Sequence, residues 1–258
     1  MGTKKINNRR KFFKTSASLI GGTIALSFVK PFELLGQSKA EVKSSEETTK
    51  PLWGMGIDIE KCIGCGKCSE ACKIENNVPK EPFYFRTWVE QYTVKKDGEV
   101  KIESPNGGIG GLKQSVPDEE IFKSFMVPKL CNHCTDAPCV QACPVGATFI
   151  SPEGVVLVDE TYCIGCSYCI QACPYGARFM NPVTKVADKC TFCYHRINKG
   201  LEPACVEVCP TNARIFGDLR DKTSDLVKFL QKNPTEVLKP HLNTKPRVFY
   251  NGLSSEVR

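Results

Sequence analysis

The residues in this sequence best suited to chemistry are its 16 cysteines, which fall into four groups of four. We call these groups run one to run four in chain order. Their segments are "CIGCGKCSEAC", "CNHCTDAPCVQACP", "CIGCSYCIQACP" and, for run four, "CTFC" followed by "CVEVCP". The members are Cys62, Cys65, Cys68 and Cys72; Cys131, Cys134, Cys139 and Cys143; Cys163, Cys166, Cys169 and Cys173; Cys190, Cys193, Cys205 and Cys209. Every cysteine of the sequence is a member of one of the runs.

The spacing within the runs is typical of iron–sulfur ligands. Runs one and three have the pattern CxxCxxCxxxC, run two widens one gap, and run four inserts 11 residues between Cys193 and Cys205. In bacterial two-cluster ferredoxins, three cysteines of such a loop hold one 4Fe–4S cube and the fourth reaches the neighbouring cube. Glycines such as Gly64 and Gly66 let the loop curl, and Pro144 after the last cysteine of run two ends a short helix. The runs therefore predict cubane iron–sulfur clusters.

Two other uses of so many cysteines predict different patterns. A disulfide scaffold in an exported protein would show irregular spacing in a small, loop-rich chain. Zinc ribbons separate two CxxC pairs by a long spacer and do not use CxxCxxCxxxCP, so only run four has a zinc-like outline. Iron–sulfur clusters are favoured because one quartet pattern is used four times.

A repeated unit organises the chain around the runs. "CPVGATFI", "CPYGARFM" and "CPTNARIF" each begin at the last cysteine of a run and continue as a short apolar strand. Runs two and three are adjacent and predict one two-cluster unit, which leaves runs one and four to pair across it. The predicted fold class is α+β: two nested bacterial-ferredoxin-like modules, loop-rich, with short helices and short antiparallel strands. Residues 51–80 and 184–220 form the halves of the outer module, and residues 127–183 form the inner one.

Two further segments flank this nested unit. Residues 81–126 are predicted to form an insertion, with a hairpin that turns at Lys96-Asp97-Gly98 and a glycine-rich loop, "SPNGGIGGLKQ", at the surface. Residues 221–258 begin with a capped amphipathic helix from Ser224 and continue as a tail punctuated by prolines. We expect this C-terminal tail either to dock on a partner as an arm or to fray.

Residues 1–40 have the three parts of a signal peptide: a cationic start, an apolar stretch from Leu19 to Val29, and a small-residue site at Ser38-Lys39-Ala40. The segment "NRRKFFK" resembles the twin-arginine signal, which implies export of an already folded protein. An ordinary secretory signal with a chance Arg-Arg pair is the alternative. The uncharged run of 15 residues from Thr15 to Val29 is shorter than the roughly 20 residues that a membrane span needs.

The charge of the chain is concentrated in that first segment. Its formal net charge is +7, from 35 basic and 28 acidic residues. Residues 1–40 hold eight of those bases and one acid, so the remainder carries 27 of each and is formally neutral. The sequence therefore gives no support for a nucleic-acid-binding surface. At 258 residues and 41% hydrophobic content, the chain is long enough to bury a sizeable core.

The remaining titratable residues do not form a catalytic set. His133 lies inside a predicted cluster loop, His195 follows Cys193, and His241 lies in the tail, so we predict no catalytic residue. Several cations flank the runs: Lys61, Lys67, Arg178, Lys189 and Arg196. They could be surface residues, balance the negative charge of the clusters, raise cluster potentials or meet an acidic partner, and the sequence does not choose among these roles.

The four runs in this order, with "CNHCTDAPC", "CIGCSYCIQACPYGARF" and "DKCTFCYHR", resemble the iron–sulfur (beta) subunits of the molybdopterin oxidoreductase superfamily. These include the dimethyl sulfoxide, polysulfide, thiosulfate and tetrathionate reductases and the related nitrite reductase iron–sulfur subunit. The resemblance covers most of residues 52–220 and implies four 4Fe–4S clusters, because all 16 positions are cysteine. The implied ligand sets are Cys62, Cys65, Cys68 and Cys209 (set one); Cys72, Cys190, Cys193 and Cys205 (set two); Cys131, Cys134, Cys139 and Cys173 (set three); and Cys143, Cys163, Cys166 and Cys169 (set four).

The resemblance also implies a function and a place in the cell. We expect an electron-transfer subunit without a substrate site of its own, matured in the cytoplasm and exported to the periplasm, on the outer face of the cytoplasmic membrane. The implied partners are a molybdopterin catalytic subunit and an integral membrane quinone-interacting subunit. A multihaem cytochrome, as in nitrite reduction, is the alternative partner. The alternative outside electron transfer is a non-redox metal-binding interaction module.

Overall fold

The computed structural model describes residues 50–81 and 84–257, so the predicted signal peptide lies outside the described residues. This part of the chain forms short strands and short helices joined by loops. The strands are β1 (Trp53–Asp58), β2 (Thr87–Lys95), β3 (Val100–Glu103), β4 (Ile121–Leu130), β5 (Thr148–Ile150), β6 (Val156–Val158), β7 (Arg178–Met180), β8 (Ala187–Lys189), β9 (Arg214–Asp218), β10 (Thr235–Glu236) and β11 (Val248–Asn251). The helices are α1 (Lys67–Glu75), α2 (Pro138–Gln141), α3 (Tyr168–Gln171), α4 (Tyr194–Ile197), α5 (Ala204–Glu207) and α6 (Asp225–Lys232).

The strand pairing joins the two ends of the cysteine-rich region. β1 precedes run one and β9 follows run four, and the two strands pair antiparallel, with Met55 opposite Phe216 and Ile57 opposite Arg214. The helices pair in the same way: α1 of run one packs against α5 of run four, and α2 of run two packs against α3 of run three. Runs one and four are thus brought together around runs two and three. The predicted α+β class, with nested ferredoxin-like modules, is confirmed.

The repeated unit forms the strands that the sequence predicts. β5, β7 and β9 each begin five residues after the last cysteine of a run. The return strands β6 and β8 complete the antiparallel hairpins β5–β6 and β7–β8. Hairpin β5–β6 therefore connects run two to run three, and hairpin β7–β8 connects run three to run four.

The insertion forms a sheet of its own, in the order β3-β2-β4. β2 and β3 pair antiparallel on either side of the turn at residues 96–98, as predicted. The glycine-rich loop is exposed at Asn106, Gly110 and Lys113, as predicted for a surface loop, but Gly107 and Gly108 are buried. Ser69 Oγ in α1 donates a hydrogen bond of 2.8 Å to Gly107 O, so this part of the loop packs on run one. Glycine permits the approach because it has no side chain to exclude the neighbouring backbone.

The C-terminal segment is part of the body of the protein. Helix α6 begins after Ser224, whose Oγ accepts a hydrogen bond from Val227 N, as the sequence predicts. Further along, β11 pairs parallel with β1 in the four-stranded sheet β10-β11-β1-β9, and the side chains of Val248 and Tyr250 have no exposed surface. The expectation of a frayed tail is therefore wrong for residues 235–251. A partner that docks on this segment remains a prediction.

The core joins the main sheet to the loops that carry the cysteines. Met55, Ile57 and Tyr250 from the sheet share one apolar cluster with Phe192 and with several cysteines. The cysteine loops are therefore fixed by the same packing that stabilises the sheet. Within residues 50–81 and 84–257, no helix is both long enough and apolar enough to cross a bilayer.

Candidate metal centres

The cysteine loops curl through residues with left-handed backbone. In run one these are Gly64 (φ 68°) and Gly66 (φ 71°), as the sequence predicts. In runs two and four the position between the first two cysteines is taken instead by His133 (φ 44°) and Phe192 (φ 51°). A side chain in this region costs about 1–2 kcal/mol, which the surrounding packing must offset. The two rings stack on each other with centroids 3.7 Å apart, so each loop holds the other in place.

Set one lines a single small cavity. Its walls include Cys62, Cys65, Cys68 and Cys209, together with the Arg214 side chain. Burial raises the pKa of the Cys62 thiol to about 11, although the Gly64 amide and the Arg214 charge oppose this rise. Three of these cysteines are half-buried and Cys68 is buried. The four thiols thus surround one space near the surface.

Set two is crowded and fully buried. Burial raises the pKa of the Cys72 thiol well above its ordinary value, and the neighbouring thiolates of Cys190, Cys205 and Cys193 raise it further. The Asn76 side-chain amide donates to two of these sulfurs, Cys72 Sγ and Cys193 Sγ, at 3.6 Å each. Four thiolates this close repel one another unless a positively charged centre lies among them, as iron would.

Set three lines a second small cavity. Cys131, Cys134, Cys139 and Cys173 share its wall with Asn132, Tyr175 and Arg178. Within the described residues, the side-chain amide of Asn132 and Nε of Arg178 are buried without a hydrogen-bond partner. Buried donors of this kind normally have a partner, and the sulfur atoms of a 4Fe–4S cube would accept from them. The cavity and its lining therefore fit such a cluster.

Three of the four cysteines of set four are at least partly exposed. Cys166 is exposed, Cys143 and Cys163 are half-buried, and Cys169 is buried in a small apolar cluster of the inner module. Burial opposes ionisation of Cys143, but hydrogen bonds from nearby backbone amides, first that of Thr148, outweigh it and lower its pKa. The Thr148 N to Cys143 Sγ distance is 3.5 Å. The grouping of these four cysteines around one cluster remains a prediction.

The state of the thiols bears on the rival uses of cysteine. All 16 lie within the described residues and none forms a disulfide. Within this part of the chain, no three His, Cys, Asp or Glu side chains are placed to share a single metal ion. Instead, the four cysteines of set one share one cavity and those of set three share another, which suits a multi-atom cluster.

The sets follow one another as neighbours. Burial raises the pKa of Cys205 to about 12, and Cys68 of set one is among the neighbouring thiolates that add to this rise. Between sets two and three, Cys131 is among the thiolates that raise the pKa of Cys190, after burial. Sets one, two and three are therefore consecutive, with the stacked rings of His133 and Phe192 at the second junction.

Comparison with known proteins gives the family. 4Fe-4S dicluster domains match residues 61–147 and 122–219. A tetrathionate reductase subunit of Salmonella typhimurium is 44% identical, over 81% of this chain and 75% of that protein. A polysulfide reductase component of Wolinella succinogenes is 39% identical, over 76% and 92%. The arsenate respiratory reductase iron-sulfur subunit ArrB of a Shewanella species is 34% identical, over 76% and 94%. The protein belongs to this family of iron–sulfur reductase subunits.

The family resemblance predicted from the sequence is thus confirmed, and with it the assignment as an iron–sulfur electron-transfer subunit with 4Fe–4S domains. The structure adds residues that the cysteine spacing did not reveal, chiefly Asn76 and Arg214. Arg214 was detectable in principle, because "GAR" at residues 176–178 recurs as "NAR" at residues 212–214. Of the cations singled out from the sequence, Arg178 and Lys189 are buried, so a role as surface residues is wrong for these two. Outside the cysteine sets, His195 Nε2 and Glu75 Oε1 form a surface pair at 2.6 Å.

Proposed function

We propose that this iron–sulfur subunit relays single electrons through four 4Fe–4S clusters, held by sets one to four in that order. The observation that carries the proposal is the burial of the sets. The cysteines of set two are all buried and those of set three nearly so, whereas sets one and four contain half-buried or exposed cysteines. A relay needs this arrangement, because electrons must enter and leave at the surface and be shielded from solvent in between.

The loops between the first two cysteines of each run support the same order. In runs one and three these loops carry Ile63 and Ile164, whose exposed fractions are 63% and 64%. In runs two and four the corresponding loops carry His133 and Phe192, which are buried and stacked on each other. Runs one and three thus present the two end clusters outwards. Runs two and four bring the two middle clusters face to face.

The partners and the compartment extend this proposal. We propose that the cluster at one end exchanges electrons with a molybdopterin catalytic subunit. The cluster at the other end exchanges electrons with an integral membrane quinone-interacting subunit. The relatives support a partner of this general kind, because their names are those of subunits of tetrathionate, polysulfide and arsenate reductases. The exposed isoleucines beside the end clusters are suitable contact residues. We further propose export by the twin-arginine route to the periplasm and no substrate site on this chain.

The test is to release the complex gently from membranes under anaerobic conditions and to analyse its metals and subunits. We expect iron and acid-labile sulfide from this chain together with molybdenum and a membrane subunit. Haem in place of molybdenum would replace the catalytic partner with a multihaem cytochrome. A complex in which this chain stays oxidised while its partners are reduced by quinol would contradict the relay.

A further inference from the structure

Arg178 and Arg214 occupy equivalent positions in two copies of the repeated unit. Each lies five residues after the last cysteine of a run and opens a strand, β7 for Arg178 and β9 for Arg214. Their exposed fractions are 5% and 3%. Burial of a guanidinium costs several kcal/mol unless an opposite charge lies beside it. Within residues 50–81 and 84–257, neither guanidinium pairs with a carboxylate at 4.0 Å or less, so the compensating charge must come from another group.

Sulfur atoms supply that charge. Arg178 Nη2 donates to Cys139 Sγ at 3.0 Å, and Arg214 Nη2 donates to Cys68 Sγ at 3.5 Å. Cys68 is the third cysteine of run one in the outer module, and Cys139 is the third cysteine of run two in the inner module. On its other side, Arg214 Nη1 lies 3.9 Å from Cys205 Sγ.

The inner module has a related arrangement. Arg178 Nη1 donates to Thr148 Oγ1 at 3.4 Å, and the backbone N of Thr148 donates to Cys143 Sγ of set four at 3.5 Å. Arg214 therefore contacts sulfurs of sets one and two, whereas Arg178 contacts a sulfur of set three and is joined to set four through Thr148.

A threonine orients each guanidinium. Arg178 Nη1 donates to Thr148 Oγ1 at 3.4 Å, and Arg214 Nη2 donates to Thr87 Oγ1 at 2.8 Å. Both threonines are buried and each is the first residue of a strand, β5 for Thr148 and β2 for Thr87. Thr87 is not in a copy of the repeated unit, so the outer module reaches the same arrangement through its insertion. A threonine, an arginine and a ligand sulfur thus recur at both centres.

We propose that Arg178 and Arg214 set the reduction potentials of their modules, each stabilising the added electron on both clusters that it bridges. This inference rests on the proposed ligand sets. Reduction adds one electron and one negative charge to a cluster, taken from the preceding donor and passed to the next acceptor. A fixed positive charge beside the ligand sulfurs favours the reduced state and raises the potential. Because each guanidinium bridges two clusters, it also offsets the repulsion between neighbouring electrons.

The experiment is a potentiometric titration followed by electron paramagnetic resonance on the full chain. The variants are Arg178→Gln and Arg214→Gln, with Arg178→Lys and Arg214→Lys to keep the charge, and Lys228→Gln as an exposed control. We expect each Gln variant to lower the equilibrium constant for reduction of two of the four clusters about tenfold, or about 59 mV for a one-electron couple. The two affected clusters should differ between the two Gln variants. The Lys variants and the control should shift much less.

Several results would overturn the inference. The inference fails if neither Gln variant changes any cluster potential, or if the potentials of all four clusters change equally. It also fails if the Gln and Lys variants change the potentials by the same amount. Iron content of every variant gives a second readout. Loss of two clusters in a Gln variant but not in its Lys counterpart supports a need for the charge, whereas equal loss in both shows a packing role and overturns it. An iron-free wild-type chain would refute the proposed function itself, while a fully loaded chain with unshifted potentials refutes only this inference.

Discussion

Gly66 offers a sharp test of how the insertion positions the first cluster loop. It lies between Cys65 and Cys68 and precedes α1, with φ at 71°. A Cβ at this position would lie 1.8 Å from the backbone oxygen of Gly108, whereas real Cβ atoms keep at least about 3.0 Å from such atoms. Gly66→Ala must therefore push the glycine-rich loop away from run one. Gly146 is a matched control, because its φ is 67° and nothing lies within 4 Å of a Cβ placed there.

The expected cost can be divided between strain and displacement. Both variants place an alanine in left-handed backbone, which costs about 1–2 kcal/mol. Displacement of the loop in Gly66→Ala also threatens the Ser69 Oγ–Gly107 O bond of 2.8 Å and the Leu112 N–Gly64 O bond of 3.3 Å. At about 1 kcal/mol for each bond, Gly66→Ala should cost about 2 kcal/mol more than Gly146→Ala. For a domain of this size, that difference corresponds to about 4–8 °C in the unfolding midpoint.

The assay is anaerobic thermal bleaching of the visible cluster absorbance at one fixed scan rate, with iron analysis of each purified variant. We expect Gly66→Ala to bleach at the lower temperature and to lose the cluster of set one first. Equal midpoints for Gly66→Ala and Gly146→Ala would refute the reasoning, because the clash would then carry no cost. A lower midpoint for Gly146→Ala would refute it as well.

Three further variants test other parts of the account. Asn76→Ala removes the amide that donates to two sulfurs of set two, so the free energy of reducing that cluster should become less favourable by about 1 kcal/mol, which potentiometric titration measures as a lower potential. The exposed Asn198→Ala is the control, and equal potentials in the two variants would contradict the role. Leu226→Ala empties a fully buried position in α6 and should destabilise the protein by about 2–5 kcal/mol. Its control, Leu242→Ala, lies at a position that is 40% exposed and should change the stability little. Thermal bleaching compares the two variants, and similar midpoints would count against the packing of α6 on the body of the protein. Cys166→Ser removes a ligand of set four alone, so iron analysis should find about 12 atoms per chain in place of about 16; loss of all the iron would contradict independent sets.

The local features of the cysteine loops could be predicted from sequence because they depend on neighbours along the chain. The spacing of run one, the turn after Lys96 and the cap at Ser224 all involve residues a few positions apart. The strands after each run were predictable for the same reason, since one apolar unit occurs three times. The pairing of run one with run four followed by elimination, once runs two and three were assigned to one module.

The features that the sequence did not predict depend on contacts between distant segments. Arg214 reaches Cys68 across 146 residues, and no local pattern marks that contact. β11 has only four residues and follows several prolines, so the tail has no periodicity to indicate a buried strand. Its burial comes from parallel pairing with β1, nearly 200 residues earlier, as in the register Met55↔Val248. The packing of Gly107 on run one is hidden likewise, because a glycine-rich segment gives the same pattern in a surface loop.

The central claim is that the four sets of cysteines hold four cubane clusters, and its most direct test is iron and acid-labile sulfide analysis of the chain purified without oxygen. The account predicts about 16 atoms of each per chain and a visible absorbance that dithionite bleaches. A compact, soluble chain that is colourless and free of iron would contradict it.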